Sequence, residues 1–158
     1  MLMKTASLIG WAPLVIALTL AQTPSQEKIP NPVVWSLKAG ATPSGAITAE
    51  LTAKIEDGWH LYSLKPITDG PRPTRIAVPA DQAFELAGDI EAPDPFVGTD
   101  PNFGIELEYY EESVTFKLPL KRRAGADGDK LLVEARYQVC TSQLCLPPKT
   151  VKLEADVK

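Results

Sequence analysis

The sequence predicts an all-β chain folded as an antiparallel β-sandwich of about seven to nine strands. Three observations carry this. Runs in which apolar residues alternate with polar ones recur along the chain, and clusters of Pro, Gly and Asp separate them. Beyond the first twenty or so residues, no segment keeps a helical period over ten or more positions.

The first strand is expected at Val33 to Leu37. In the run from Gly45 to Ile55, Ile47, Leu51 and Ile55 alternate with polar or small residues, the pattern of a strand buried on one face. Glu56-Asp57-Gly58 then turns the chain. Further strands are expected at Trp59 to Ser63, Thr74 to Val78, Phe84 to Leu86, Val114 to Leu120, Leu131 to Val139 and Thr150 to Val157. Gly70-Pro71-Arg72-Pro73, Ala92-Pro93-Asp94-Pro95 and Gly125-Ala126-Asp127-Gly128 supply the fixed or positive φ values that turns and loops need.

Ahead of this domain, Met1 to Ala21 carries one charge, Lys4, followed by an uncharged stretch ending in Thr19-Leu20-Ala21. That is the pattern of a secretory signal peptide (1–21) cleaved before Gln22. An uncleaved membrane anchor fits less well, because the apolar stretch is short for a span and contains Pro13. Residues 22–32, with Pro24, Pro30 and Pro32, read as an extended linker, and the domain proper as 33–158. Without residues 1–21 the chain has 15 Lys and Arg against 20 Asp and Glu, a net charge of −5. Phosphate binding needs a basic face, so no nucleic-acid partner is expected. Export also places the cysteines where a disulfide persists.

Only two cysteines are present, Cys140 and Cys145. They close a loop of about six residues, whose bond restricts the unfolded chain by roughly 2 kcal/mol, against about 4.7 for a hundred-residue loop. Thr141-Ser142-Gln143-Leu144 reads as a hairpin connection, and opposed residues of such a ladder have Cα atoms about 4.5–5.5 Å apart, within reach of a disulfide. Pro147-Pro148 cannot donate ladder hydrogen bonds, so the strand returning from Cys145 is expected to be irregular or at an edge, leaving that sulfur approachable. Spacing alone leaves open a reactive pair and a cystine that merely pins a hairpin. With His60 the single histidine, a closed zinc site lacks a fourth ligand at ligand spacing, so no metal is expected. His60 itself reads as a surface or satisfied core histidine.

Tyr137-Gln138-Val139-Cys140 through Cys145-Leu146-Pro147-Pro148 resembles the periplasmic N-terminal domain of the thiol:disulfide interchange protein DsbD. Asp57-Gly58-Trp59-His60-Leu61-Tyr62-Ser63, Gly70-Pro71-Arg72-Pro73-Thr74-Arg75-Ile76, Asn102-Phe103-Gly104 and Tyr110 follow in that family's order, so the resemblance covers about 31–158. It implies an immunoglobulin-like sandwich whose hairpin dithiol exchanges with thioredoxin-fold extracytoplasmic proteins, an activity of protein-disulfide reductase type. By the same resemblance Cys145 forms the mixed disulfide with a partner, Cys140 resolves it, and Phe103 is the cap that shields the pair. Tyr62 and Tyr137 are candidates to flank the site.

The sequence departs from the family pattern in three places. The membrane-spanning and thioredoxin-like domains of full-length relatives are missing, which implies a membrane-embedded electron donor on a separate chain. The acidic residues beside the cap are kept only in part, as Asp100 and Asn102. The cysteine spacing is also shorter. No organic cofactor is needed, and a monomer is expected. The competing function is a secreted immunoglobulin-like binding module with a structural disulfide. The two differ in reduction potential, structural bonds lying below about −300 mV and labile ones above.

Overall fold

In β2 (Ile47–Ile55), Ala49, Leu51, Ala53 and Ile55 turn inward and are buried, while Glu50 and Lys54 face solvent. This alternation sets one layer of the fold. The computed structural model describes residues 29–42 and 44–158; the segment read as a signal peptide and linker residues 22–28 lie outside the described residues. Within Asn31–Lys158, β2 pairs with β1 (Val33–Ala41) on one side and β8 (Ser113–Arg122) on the other. The register sets Leu51 opposite Phe116, and β5 (Phe84–Leu86) closes the edge beyond β8. All these pairings are antiparallel.

Two smaller antiparallel sheets supply the apolar residues that face this layer. One has the order β11 (Lys149–Asp156), β9 (Lys130–Tyr137), β4 (Arg75–Ala77). The other has the order β10 (Val139–Cys140), β3 (His60–Tyr62), β7 (Ile105–Tyr110), β6 (Phe96–Asp100). Leu51, Phe84, Phe116, Leu118, Leu131, Val133, Leu61 and Val139 fill the space between, so every sheet contributes to one main core. Trp35 lies against Phe116 and Tyr137, its ring 5.2 Å from that of Tyr137.

The described residues thus form eleven strands rather than seven to nine, and they differ from expectation in two regions. The segment from Phe96 to Tyr110, absent from the expected strands, is the hairpin β6–β7. Pro95, Gly98, Pro101 and Gly104 break its alternation, while pairing from Phe96↔Tyr109 to Asp100↔Ile105 restores the ladder. A Cβ at Gly98 would come within 3.2 Å of the Tyr109 hydroxyl, so a larger residue there would need the Tyr109 side chain to shift. The single strand expected over Leu131 to Val139 is divided at Gln138, where the chain leaves β9's sheet and joins β3's. The Gln138 side chain occupies the junction, accepting from the Arg72 N–H at 2.8 Å and donating to the Leu146 carbonyl at 3.2 Å.

Candidate active site

The change of sheets at Gln138 carries Cys140 to the edge of the β10-β3-β7-β6 sheet. Val139, opposite Leu61, points into the main core, so Cys140, opposite His60, points to the other face. A single antiparallel bridge sets Cys145 across from Cys140. The connection Thr141–Leu144 is closed by the Thr141 N–H donating to the Leu144 carbonyl at 2.8 Å. The Thr141 hydroxyl accepts from the Gln143 and Leu144 N–H groups at 3.2 and 3.1 Å, and the Leu146 N–H donates to the Val139 carbonyl at 3.0 Å. These bonds frame the hairpin without help from the sulfurs.

Cys140 and Cys145 are joined in a disulfide, with an S–S distance of 2.02 Å and Cα atoms 4.0 Å apart, closer than the expected ladder spacing. Cys140 is wholly buried, whereas Cys145 is partly exposed. From Cys145 to Pro148 the chain is outside regular strand, and β11 begins only at Lys149, as the proline pair requires.

The structure brings some of the expected residues together and separates others. Tyr62, Leu107 and Cys140 form a small apolar cluster of their own, with Ile67, Tyr109 and Cys145 packed against it. Tyr137 belongs to the main core, against Trp35, and not to this cluster. Phe103 stands at the tip of the β6–β7 hairpin and is 37% exposed. The two hairpin tips are tied together, since the Asn102 side-chain amide donates to the Thr141 carbonyl at 2.8 Å. Ile105 and Leu144, one near each tip, are also exposed.

Beside the cysteines lies a polar network in which His60 and Asp100 join Tyr62. The Tyr62 hydroxyl donates to Asp100 Oδ2 at 2.8 Å, and His60 Nε2 lies 3.0 Å from the same oxygen. An ionised carboxylate only accepts, so this nitrogen carries the proton. Asp100 Oδ1 accepts from the Asn102 N–H at 2.8 Å. Burial on its own pushes the Asp100 carboxyl up, but the bonds from Tyr62, Asn102 and His60 outweigh it and hold the group below the ordinary carboxylate range. Burial, then the Asp100 bond and its negative charge, push the Tyr62 phenol well above its ordinary value. The network joins residues 38 and 40 positions apart, and the only local sign of it is an aspartate opening the Asp-Pro-Asn-Phe-Gly turn. Among the described residues, no group of three His, Cys, Asp or Glu side chains is arranged to hold a metal ion.

The sequence profile described as "Thiol:disulfide interchange protein DsbD, N-terminal" matches residues 26–156. The chain belongs to the DsbD N-terminal domain family. Family membership and the bonded cysteine pair make it a thiol:disulfide interchange module. Among solved structures, the N-terminal periplasmic domain of ScsB from Proteus mirabilis is 18% identical with a TM-score of 0.57. That match covers 80% of this chain and 47% of the other, so the chain spans about half of that domain's length and the likeness concerns the fold. The reduced DsbD N-terminal domain of Neisseria meningitidis is 21% identical with a TM-score of 0.49, over 68% of this chain and 75% of that one. No curated protein sequence matches the chain. The fold of this DsbD N-terminal-type domain is an immunoglobulin-like antiparallel β-sandwich, as the sequence predicts.

Proposed function

We propose that the chain works outside the cytoplasm, after removal of residues 1–21, as a relay for reducing equivalents. It takes two electrons at Cys140 and Cys145 from a membrane-embedded carrier on another chain and passes them to thioredoxin-fold proteins. The observation that carries this reading is the asymmetry of the pair, with Cys140 wholly buried and Cys145 partly exposed beside the exposed Leu144. Thiol–disulfide exchange needs access to the attacking sulfur, and Cys145 is the nearer of the two to solvent.

In the reduced protein the Cys145 thiolate attacks one sulfur of a partner disulfide. That S–S bond breaks, the partner's other sulfur leaves as a thiolate, and a mixed disulfide forms. Cys140 then attacks Cys145 Sγ, the mixed bond breaks, and the partner departs with both thiols while this chain keeps the cystine. Two electrons and two protons have moved to the partner. Phe103, on the hairpin tied to Thr141, covers the pair between encounters.

A Cys140→Ala variant, reduced and mixed with an oxidised thioredoxin-fold protein, should accumulate a mixed disulfide through Cys145, because the resolving sulfur is gone. Cys145→Ala should accumulate far less. Equal trapping by both variants would overturn the assignment of roles, and trapping by neither would overturn the relay.

A further inference from the structure

The turn that carries Phe103 is built on one residue. Asp100 accepts from the Asn102 N–H through its side chain at 2.8 Å, and its carbonyl accepts from the Phe103 and Gly104 N–H groups at 3.3 and 2.7 Å. Gly104, at φ +68°, takes the left-handed conformation that closes this turn. Asp100 is itself 3% exposed, and its other carboxylate oxygen is gripped by the Tyr62 hydroxyl and by His60 Nε2. Both gripping residues lie on β3, the strand that pairs with the Cys140 segment, and His60 is directly opposite Cys140. The polar chain therefore runs from the strand beside the buried sulfur, through one carboxylate, to the base of the Phe103 turn.

We infer that Asp100, clamped by His60 and Tyr62, is a positioning residue for exchange: it fixes the Phe103 turn relative to the cysteine pair and so sets how often the sulfurs are uncovered. The proposal rests on the reading of Phe103 as the cover of an exchange-active pair. The clamp suits the task physically. Hydrogen bonds to an ionised, buried carboxylate are stronger than neutral ones, and leaving such a group without partners is costly. The docked turn is thereby favoured over a locally opened one. The Asn102–Thr141 bond adds a second tie, but it is exposed and lies at the tip.

The test uses reduced full-length protein and iodoacetamide, with alkylation followed by mass. Phe103→Ala should react faster than wild type. Asp100→Asn, which keeps the shape but replaces an acceptor by a donor facing His60 and Tyr62, should also react faster, by about tenfold, equivalent to roughly 1.4 kcal/mol of docking free energy. The double variant should match Phe103→Ala alone within about twofold, because Asp100 acts through the cover. His60→Gln, which can still donate to Asp100, should keep close to the wild-type rate, whereas His60→Phe should be accelerated. If Asp100→Asn does not fold, the His60 pair of variants decides the matter. Unchanged rates in Asp100→Asn and His60→Phe, with Phe103→Ala accelerated, would overturn the positioning role and leave the cover intact. Additive acceleration in the double variant would also overturn it, as general loosening. An unchanged Phe103→Ala rate would overturn the cover as well.

Discussion

Reducing the Cys140–Cys145 bond should leave the domain folded and cost it only about 2 kcal/mol. The bond spans a sequence separation of five, so the loop it removes from the unfolded ensemble is small. On the folded side the hairpin keeps its frame without the sulfurs, through Thr141 to Leu144, Leu146 to Val139, Gln138 to Leu146 and Asn102 to Thr141. The main core, with Leu51, Phe116 and Leu131, does not include either cysteine. Urea unfolding of oxidised and reduced protein, followed by fluorescence of Trp35 and Trp59, measures the difference. With a urea slope of about 2 kcal/mol/M, the reduced midpoint should fall by roughly 1 M while the transition stays cooperative. A reduced protein that has lost its cooperative transition, or whose midpoint falls by more than about 3 M, would refute the reasoning and make the cystine a structural one.

Two further outcomes follow from the core and the buried ionisable groups. Phe116, fully buried between Trp35 and Tyr110, should cost roughly 3–5 kcal/mol when changed to Ala, read from the same urea titration; a loss under about 1 kcal/mol would mean the site collapses without a cavity. Burial is the leading cause that raises the Tyr62, Tyr110 and Tyr137 phenols, so the folded state favours their neutral forms. Their contribution is fully present below the free value of 10.0 and should be lost as the pH rises past it. Asp100 has the opposite sign: lowered in the fold, it contributes above its free value of 3.8 and loses that contribution as the pH falls through and below it. Urea midpoints measured against pH should show both limbs, and Asp100→Asn should flatten the acidic one.

Local pattern made the first layer legible. The alternation of Ile47, Leu51 and Ile55 is a property of neighbouring residues, and β2 occupies that segment with Leu51 and Ile55 buried. The cysteine hairpin was legible for the same reason, since its turn, its prolines and both sulfurs fall within a dozen positions. What escaped depends on residues far apart in sequence. β6 contains Gly98, and Pro101 and Gly104 follow it in the turn; pairing of β6 with β7, and of β7 with β3, makes them strands. Nothing local marks Gln138 as the point where one apolar run passes from the partner β11 to the partner β3. Tyr137, a candidate to flank the site, lies three residues from Cys140, and the division at Gln138 leaves it in the main core. Asp100 and His60 meet across 40 positions, and their types alone do not announce it.

The separation of the small Tyr62–Leu107–Cys140 cluster from the main core bears on how such a domain can be altered. Changes among Leu51, Phe116, Leu131 and their neighbours act on residues that do not pack in the cysteine cluster, so they should shift melting temperature and leave reduction potential nearly fixed. Changes at Leu107, Ile67 or Tyr109 touch the cysteine cluster, so they should shift reduction potential together with melting temperature. Resistance to heat can therefore be adjusted in this chain without altering affinity for electrons, through a library restricted to the main core, whereas a library in the cysteine cluster should move both.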